Sequence, residues 1–205
     1  MSALPYARLD APAAGRDTAV DSHTFAGTDA CAWLEVTETS ISYPVMALQP
    51  EMPDDFYLTH DAWGTPSIAG CPYLDRRAEP NARHLLVYAH SGLASGLMFG
   101  PLRLAYLPER FSALGDAIWT DRSGAVTVFR PLCALEVVSD YPEIQRFDCL
   151  AEELAEMAFG IAKRASARSA NWGEQARSCT RLLTLVTCSK NAPRSAGRTL
   201  VLFTA

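Results

Sequence analysis

The chain has 205 residues, of which 49% are hydrophobic and 20% charged, a balance typical of one soluble globular domain with a sizeable core. A formal net charge of −5 at pH 7 and the lack of a long Lys/Arg block argue against a nucleic-acid-binding protein. No apolar run reaches the roughly 18 residues of a membrane span, and no secretory signal pattern opens the chain.

Residues 1–30 show little hydrophobic periodicity, and we interpret them as a partly helical N-terminal extension before a single domain at 31–205. From Cys31 onward, short segments rich in Val, Ile, Leu and aromatic residues are bounded by turn residues, which predicts β-strands. Pro44 within one of them indicates an edge or a bulge, because proline lacks the N–H that a central strand needs. The segments are CAWLEV, ISYPVMAL, HLLVYA, AVTVFR and LCALEVV. Several such strands in series predict a barrel or a sandwich.

The stretch TDRSG, at 120–124, lies just before AVTVFR and predicts a hairpin loop in which Gly124 adopts a positive φ. Further on, a helical spacing of apolar residues interrupts the strand pattern and predicts a helix at roughly 143–168 that lies on the barrel. Acidic residues toward its start and basic residues toward its end suit the helix dipole. The apolar stripe consists of Phe147, Leu150, Leu154, Met157 and Ile161.

Two continuous apolar runs, LLTLVT and TLVLF, end the sequence, and each predicts a strand buried on both faces. The connection between them is too short for a helical crossover, so an antiparallel pair is expected. Cys188 and Arg198 then lie at the same end of the sheet. A guanidinium there would favour a thiolate and hold an oxyanion, as a cysteine nucleophile requires. A buried cysteine beside a solvated arginine is the structural alternative.

A nucleophilic cysteine needs a histidine partner, and the candidates are His23, His60, His84 and His90. His90 follows HLLVYA and opens a loop of small residues, where its side chain can project into a cleft. His84 begins the same strand and is expected at the surface, whereas His60 is expected to form local hydrogen bonds. Sequence spacing alone does not bring His90 to Cys188.

Six cysteines occur without a C-x-x-C pair, so no structural zinc site is expected. The even number permits disulfides, but a chain this long does not need them. At least some of these cysteines are expected to be buried as small hydrophobic side chains. Besides Cys188 they are Cys31, Cys71, Cys133, Cys149 and Cys179.

Four motifs in order resemble class B sortases, the cysteine transpeptidases of Gram-positive cell surfaces. ISYPVMALQPEMPDDFYLTHDAWGTPSIAGCPYLD is similar to the family segment I-x-Y-P-V … Y-L-x-H-D-x-x-G-x-x-S-x-x-G-x-x-x-x-D. HLLVYAHSGLASGLMFGPL is similar to I-x-Y-G-H-N … M-F-x-x-L and places the family histidine at His90. TLVTCS is similar to T-L-S-T-C and places the nucleophile at Cys188, and Arg198 takes the position of the essential arginine. The resemblance covers about residues 30–205.

The resemblance implies a closed eight-stranded β-barrel with an extra helix before the cysteine-bearing strand, and acyl transfer without cofactor or metal. Cys188 would attack a Thr carbonyl in a short sorting motif, His90 would exchange protons and Arg198 would stabilise the oxyanion. The backbone N–H of Ser189 would be a second oxyanion donor. Thr187 would orient the substrate or the arginine, and its alternative is a plain strand residue. Two positions resemble the substrate groove, with core packing as their alternative: Leu58 and Tyr141.

The implied partners are a surface or pilin protein with a C-terminal sorting motif and an amine nucleophile from peptidoglycan or a pilin lysine. The implied location is the extracellular face of the membrane, through an anchor that this sequence does not contain. Departures from the family pattern at Ala89, Ser91, Val186, Ser189 and Lys190 leave the three catalytic positions intact and leave the exact sorting motif open. Val186 removes a hydroxyl that could line the substrate groove.

Two other functions remain open from the sequence. The first is a cysteine peptidase that resolves the same acyl-enzyme with water, and the second is a non-catalytic peptide-binding barrel. A metal site is a poor fit, because Asp61 and Asp75 are too few and too far apart in sequence to support one. We further hypothesise that the Cys188 thiol is reactive without being strongly acidified.

Overall fold

The computed structural model describes residues 28–92, 96–138, 141–189 and 197–205. The predicted helical extension therefore lies outside the described residues, apart from its last three positions. None of the helices in the described part of the chain combines the length and the apolar character needed to span a bilayer.

The fold is a closed β-barrel of eight strands with a ninth strand added outside the closure. The sheet order is β5-β1-β2-β3-β4-β8-β9-β6-β7, and a β5–β6 pairing closes the ring, so β7 lies outside the ring, where it pairs with β6. β2–β3 and β4–β8 are parallel, and the other pairs are antiparallel. The strands are β1 (Ala30–Val36), β2 (Ile41–Met46), β3 (Tyr73–Leu74), β4 (His84–Tyr88), β5 (Ala117–Asp121), β6 (Val126–Val138), β7 (Ala167–Arg168), β8 (Leu182–Cys188) and β9 (Gly197–Thr204). The prediction of an eight-stranded barrel is confirmed.

In the described part of the chain, three α-helices and three short 3₁₀ turns accompany the strands. The helices are α1 (Pro108–Phe111), α2 (Ala151–Arg164) and α3 (Trp172–Ser178), and the 3₁₀ turns are Phe56–Leu58, Gly100–Leu102 and Pro142–Ile144. α2 and α3 cover the outer face of the barrel, where Leu154 and Ile161 of α2 pack in one cluster with Leu182 and Leu200. The inward side chains of β8 and β9 fill the barrel itself. Both strands are therefore buried on two faces, as their continuous apolar runs predict.

Two local predictions from turn and strand chemistry are confirmed. β5 and β6 form the predicted hairpin. In its turn the Asp121 side chain accepts the N–H groups of Ser123 and Ala125, and Gly124 has φ +85°. Pro44 pairs with Trp33 of β1, while β2 meets β3 only at Met46. Pro44 thus lies where β2 has a strand on one side alone among the described residues, and its missing N–H leaves no ladder bond unmade.

The helix predicted at 143–168 corresponds to α2, which is shorter, so the expected span is wrong at both ends. α2 begins at Ala151, because the carboxylate of Glu153 accepts the N–H of Leu150 at 2.9 Å and ends the extended segment before it. Leu150 is 69% exposed, and Phe147 instead stacks on the ring of His84 with centroids 5.5 Å apart. After Arg164 the chain becomes extended and pairs with β6 as β7.

All six cysteines are free, and five of them are buried, which confirms that they act as small core side chains. Burial raises the pKa of Cys31, Cys71 and Cys133 to about 12 and that of Cys179 to about 11. The exception is Cys188, which is partly exposed. The protein therefore has one thiol in an environment suited to chemistry.

Candidate active site

The strand register brings Cys188, His90 and Arg198 to one end of the barrel. Cys188 and Arg198 are direct partners in the antiparallel β8–β9 ladder. β4 runs parallel to β8, its last pair is Tyr88 with Val186, and His90 follows by two residues. Because side chains alternate along a strand, Tyr88 and His90 share the outer face, as do Val186 and Cys188.

The hydrogen-bonding interaction between the Cys188 and His90 side chains is the largest cause of opposite pKa shifts in the two groups. The bond to His90 lowers the pKa of the Cys188 thiol despite partial burial, and the positive charge of Arg198 lowers it further. The same bond raises the pKa of His90, with a smaller contribution from the carbonyl of Leu58, while burial and Arg198 act against it. The two shifts favour a thiolate beside an imidazolium.

A second hydrogen bond fixes the tautomer of His90. Its Nε2 lies 2.8 Å from the carbonyl oxygen of Leu58, at the end of the 3₁₀ turn Phe56–Leu58. A carbonyl only accepts hydrogen bonds, so Nε2 carries a hydrogen in the neutral and the charged ring alike. Nδ1 is therefore the ring nitrogen that is left to gain or lose a proton. The backbone carbonyl of His90 in turn accepts the N–H of Phe99 at 3.0 Å.

Arg198 supplies the positive charge of the site, whereas the expected second oxyanion donor is already engaged. The N–H of Ser189 donates to the carbonyl of Gly197 at 3.2 Å and continues the β8–β9 ladder by one bond. The expectation that this N–H is free to bind an oxyanion is therefore not met. Ser189 is only 3% exposed, and its buried hydroxyl has no partner in the described structure. The guanidinium of Arg198 donates from Nη1 to the Gly197 carbonyl at 3.0 Å, and its positive charge acts on Cys188.

The residues expected to contact substrate occupy different kinds of position. Thr187 is 2% exposed, and its hydroxyl donates to the carbonyl of Ala89 at 2.9 Å. Leu58 is partly buried and reaches the site through its carbonyl, a contact that no side-chain pattern in the sequence could reveal. Tyr141 is partly buried against the outer cluster, and its hydroxyl accepts from Arg164 at 3.2 Å. Their substrate roles stay predictions.

The remaining described histidines are structural. His84 is fully buried, so the expectation that it lies at the surface is wrong; its Nδ1 donates to the carbonyl of Arg146 at 2.8 Å and its Nε2 accepts from Thr184 Oγ1 at 3.0 Å. His60 bonds locally, as predicted, with Nδ1 3.0 Å from the carbonyl of Phe56 and its ring stacked on that phenyl ring.

The two acids considered for a metal are used in local structure. Asp61 accepts the N–H groups of Trp63 and Thr65 in a turn, and Asp75 is held by Arg77 and the Tyr88 hydroxyl. Within the described residues, no group of three or more His, Cys, Asp or Glu side chains could hold a metal ion.

Among protein-family models, curated proteins and solved structures, only the solved structures match this chain. No protein-family model matches the sequence, and no curated protein matches it. Sortase B from Clostridium perfringens superposes with a TM-score of 0.73 at 20% identity, covering 86% of this chain and 93% of that one. The chain has the sortase B fold. Two further examples are sortase B from Listeria monocytogenes (TM-score 0.69, 20% identity, 87% and 95% covered) and a Staphylococcus aureus sortase B–substrate complex (0.70, 19%, 86% and 79%). The resemblance inferred from the four sequence motifs is thus confirmed at the level of fold.

Proposed function

We propose that the protein is a sortase-type cysteine transpeptidase that cleaves a short sorting motif after Thr and transfers the acyl group to an amine. The observation that supports this most is the strand register, which makes Arg198 the ladder partner of Cys188 and brings His90 close enough for its ring to lower the pKa of the thiol. A peptide-binding barrel needs neither a thiol of lowered pKa nor a base beside it, whereas a cysteine nucleophile needs both.

In the first half-reaction the Cys188 proton moves to Nδ1 of His90, and the thiolate attacks the carbonyl carbon of the substrate Thr. The Arg198 guanidinium stabilises the negative charge that develops on the carbonyl oxygen. Nδ1–H then protonates the amide nitrogen of the leaving peptide, the C–N bond breaks, and a thioester on Cys188 remains. Because Nε2 stays bonded to Leu58, the ring holds its orientation throughout.

In the second half-reaction an incoming amine loses a proton to Nδ1 of His90 and attacks the thioester carbon. The new amide forms, the C–S bond breaks, and the Cys188 thiolate is restored beside the protonated His90. Acyl transfer to an amine and hydrolysis differ only in whether an amine or water makes this attack. The share of product that is ligated therefore distinguishes a transpeptidase from a peptidase.

The proposed donor is a surface or pilin protein with a C-terminal sorting motif, and the proposed acceptor is an amine of peptidoglycan or of a pilin lysine. Two similar structures support substrates of this class: one Staphylococcus aureus sortase B is a substrate complex, and another sortase B is complexed with triglycine. We propose that the protein acts at the extracellular face of the membrane, because the proposed donor and acceptor are both found there.

The test is a transfer assay with a labelled N-P-x-T-type peptide and either triglycine or a diamino acid, with intact-mass detection of the acyl-enzyme. The intact protein should give an adduct on Cys188 and a ligated product, and Cys188→Ala should give neither. Cleavage without ligation for every amine supplied would identify a peptidase. Peptide binding that is equal in both proteins, with no adduct and no cleavage, would identify a binding barrel and overturn the proposal.

A further inference from the structure

His90 lies beyond the regular β4–β8 ladder. The bonds to Leu58 and Phe99 hold its ring and its carbonyl, and the bonds that continue the ladder hold its backbone against β8. The last strand pair is Tyr88 with Val186. Past it, the N–H of Ala89 donates to the carbonyl of Val186 at 3.2 Å, and the hydroxyl of Thr187 donates to the carbonyl of Ala89 at 2.9 Å. The hydroxyl bond is the shorter of the two and lies closer to the histidine.

Thr187 and Ala89 are the residues immediately before Cys188 and His90. Because side chains alternate across a strand, Thr187 and Ala89 point inward, with 2% and 5% exposure, while Cys188 and His90 point outward. One buried hydrogen bond therefore joins the backbone that carries the nucleophile to the backbone that carries the base. Its burial also keeps the Thr187 hydroxyl away from any peptide in the groove.

We propose that Thr187 is a positioning residue that holds His90 against Cys188 through the Ala89 carbonyl, rather than a contact for substrate or arginine. Loss of the hydroxyl leaves the Ala89 carbonyl without that donor where water is excluded, and the backbone at 89–90 then relaxes away from β8. The Cys188–His90 bond lengthens as a result. The inference rests on the proposed function for its effect on turnover, but the thiol itself can be measured without a substrate.

The experiment measures the rate of Cys188 alkylation by iodoacetamide as a function of pH, by peptide mass spectrometry on the intact chain. Thiolate is the reacting form, so the profile reports the ionisation of the sulfur. The other five cysteines are buried with raised pKa values, and Cys188→Ala gives the background. Thr187→Val removes the hydroxyl and keeps the shape, Thr187→Ser keeps the hydroxyl, and Thr187→Ala is a second variant without it should the valine fail to fold.

The matched control is Thr184→Val. Thr184 is also buried on β8 and also joins β4, through the ring of His84 at the far end of that strand. It pairs with Leu86 in the middle of the ladder and, within the described residues, does not contact Ala89 or His90 through any of its bonds. Its substitution weakens the same two strands without touching the bonds at Ala89. Circular dichroism and thermal melting establish that each variant is folded under the assay conditions.

We expect Thr187→Val or Thr187→Ala to move the alkylation profile to higher pH and to lower the rate near pH 7 by about threefold, the equivalent of about half a pKa unit. Thr187→Ser and Thr184→Val should follow the unaltered protein. The inference is overturned if the variants without the hydroxyl superimpose on the unaltered protein, if Thr187→Ser shifts as they do, or if Thr184→Val shifts equally. Alkylation needs no peptide, so a negative transfer assay would count against the proposed function and not against this inference.

Discussion

The two ends of β4 each place a histidine on the outer face of the barrel, and the two rings have opposite acid–base behaviour. At both ends a backbone carbonyl binds one ring nitrogen: that of Arg146 for His84 and that of Leu58 for His90. The other ring nitrogen faces a β8 side chain, Thr184 for His84 and Cys188 for His90. Burial lowers the pKa of His84, whereas the bond to Cys188 raises the pKa of His90. The same residue type, strand and face therefore give a structural ring at one end and a titrating ring at the other.

The difference lies in the β8 partner and in what covers the ring. Thr184 offers His84 a hydroxyl that does not ionise, and the segment around Phe147 stacks over the ring and excludes water. His90 faces a thiol and remains partly exposed. A neutral imidazole satisfied at both nitrogens suits the first site, and a shared proton suits the second.

The largest expected effect separates the two histidines by activity. His90→Gln removes the proton-exchanging nitrogen and should lower the rate of peptide transfer by about 10²–10⁴-fold, the usual contribution of general acid–base catalysis. His84→Gln should leave the rate per folded molecule unchanged. Steady-state transfer kinetics on both variants provide the measurement, and a similar loss in both would remove the functional distinction between the two rings.

Stability should separate them in the reverse direction. His84→Leu leaves the Arg146 carbonyl and the buried Thr184 hydroxyl without their ring partner, which should cost about 1–3 kcal/mol in free energy of unfolding. His90→Leu should cost less, because its ring is partly exposed. Urea denaturation of both variants measures the difference, and an equal or larger loss for His90→Leu would contradict it.

The smallest expected effect is a difference in the sign of the pH dependence of stability. The pKa of His84 is lowered in the folded state, so its contribution is complete above the unfolded value of about 6.5 and is lost as the pH falls through the folded value. The pKa of His90 is raised, so its contribution is complete below about 6.5 and is lost as the pH rises through the folded value.

Unfolding free energies between pH 5 and pH 8 test these signs. His84→Gln should reduce the loss of stability on acidification, and His90→Gln should increase it. Two variants that change the slope in the same direction would show that at least one of the two rings is held differently.

The parts of the fold that sequence predicts are those fixed by neighbouring residues. The short connection between two apolar runs was enough to pair Cys188 with Arg198, and the composition of TDRSG was enough to predict its hairpin. β3 and β7 have two residues each, too few for any periodicity to show. His90 reaches Cys188 through β4–β8 pairing between distant parts of the chain, which only the motif resemblance indicated.

The sequence predictions fail where a residue's surroundings are determined by a segment that is distant in the chain or by the exact register. His84 was expected at the surface because the sequence gives no sign that Arg146 and Phe147 fold over it. Phe147 and Leu150 fit a helical spacing, but Glu153 starts the helix after both. The N–H of Ser189 is bound to the Gly197 carbonyl because the β8–β9 ladder extends one bond past Cys188. The sequence does not show how far that ladder extends, so it predicts a free N–H.

The position of β9 has a consequence for how the protein matures. This strand is the last in the sequence, yet it lies between β8 and β6 in the ring. A nascent or clipped polypeptide that ends before Gly197 therefore exposes two unpaired sheet edges and has no guanidinium next to its sulfur. Closure of the ring and the placement of Arg198 next to Cys188 depend on the same strand, so an incomplete product cannot bring the three candidate residues together.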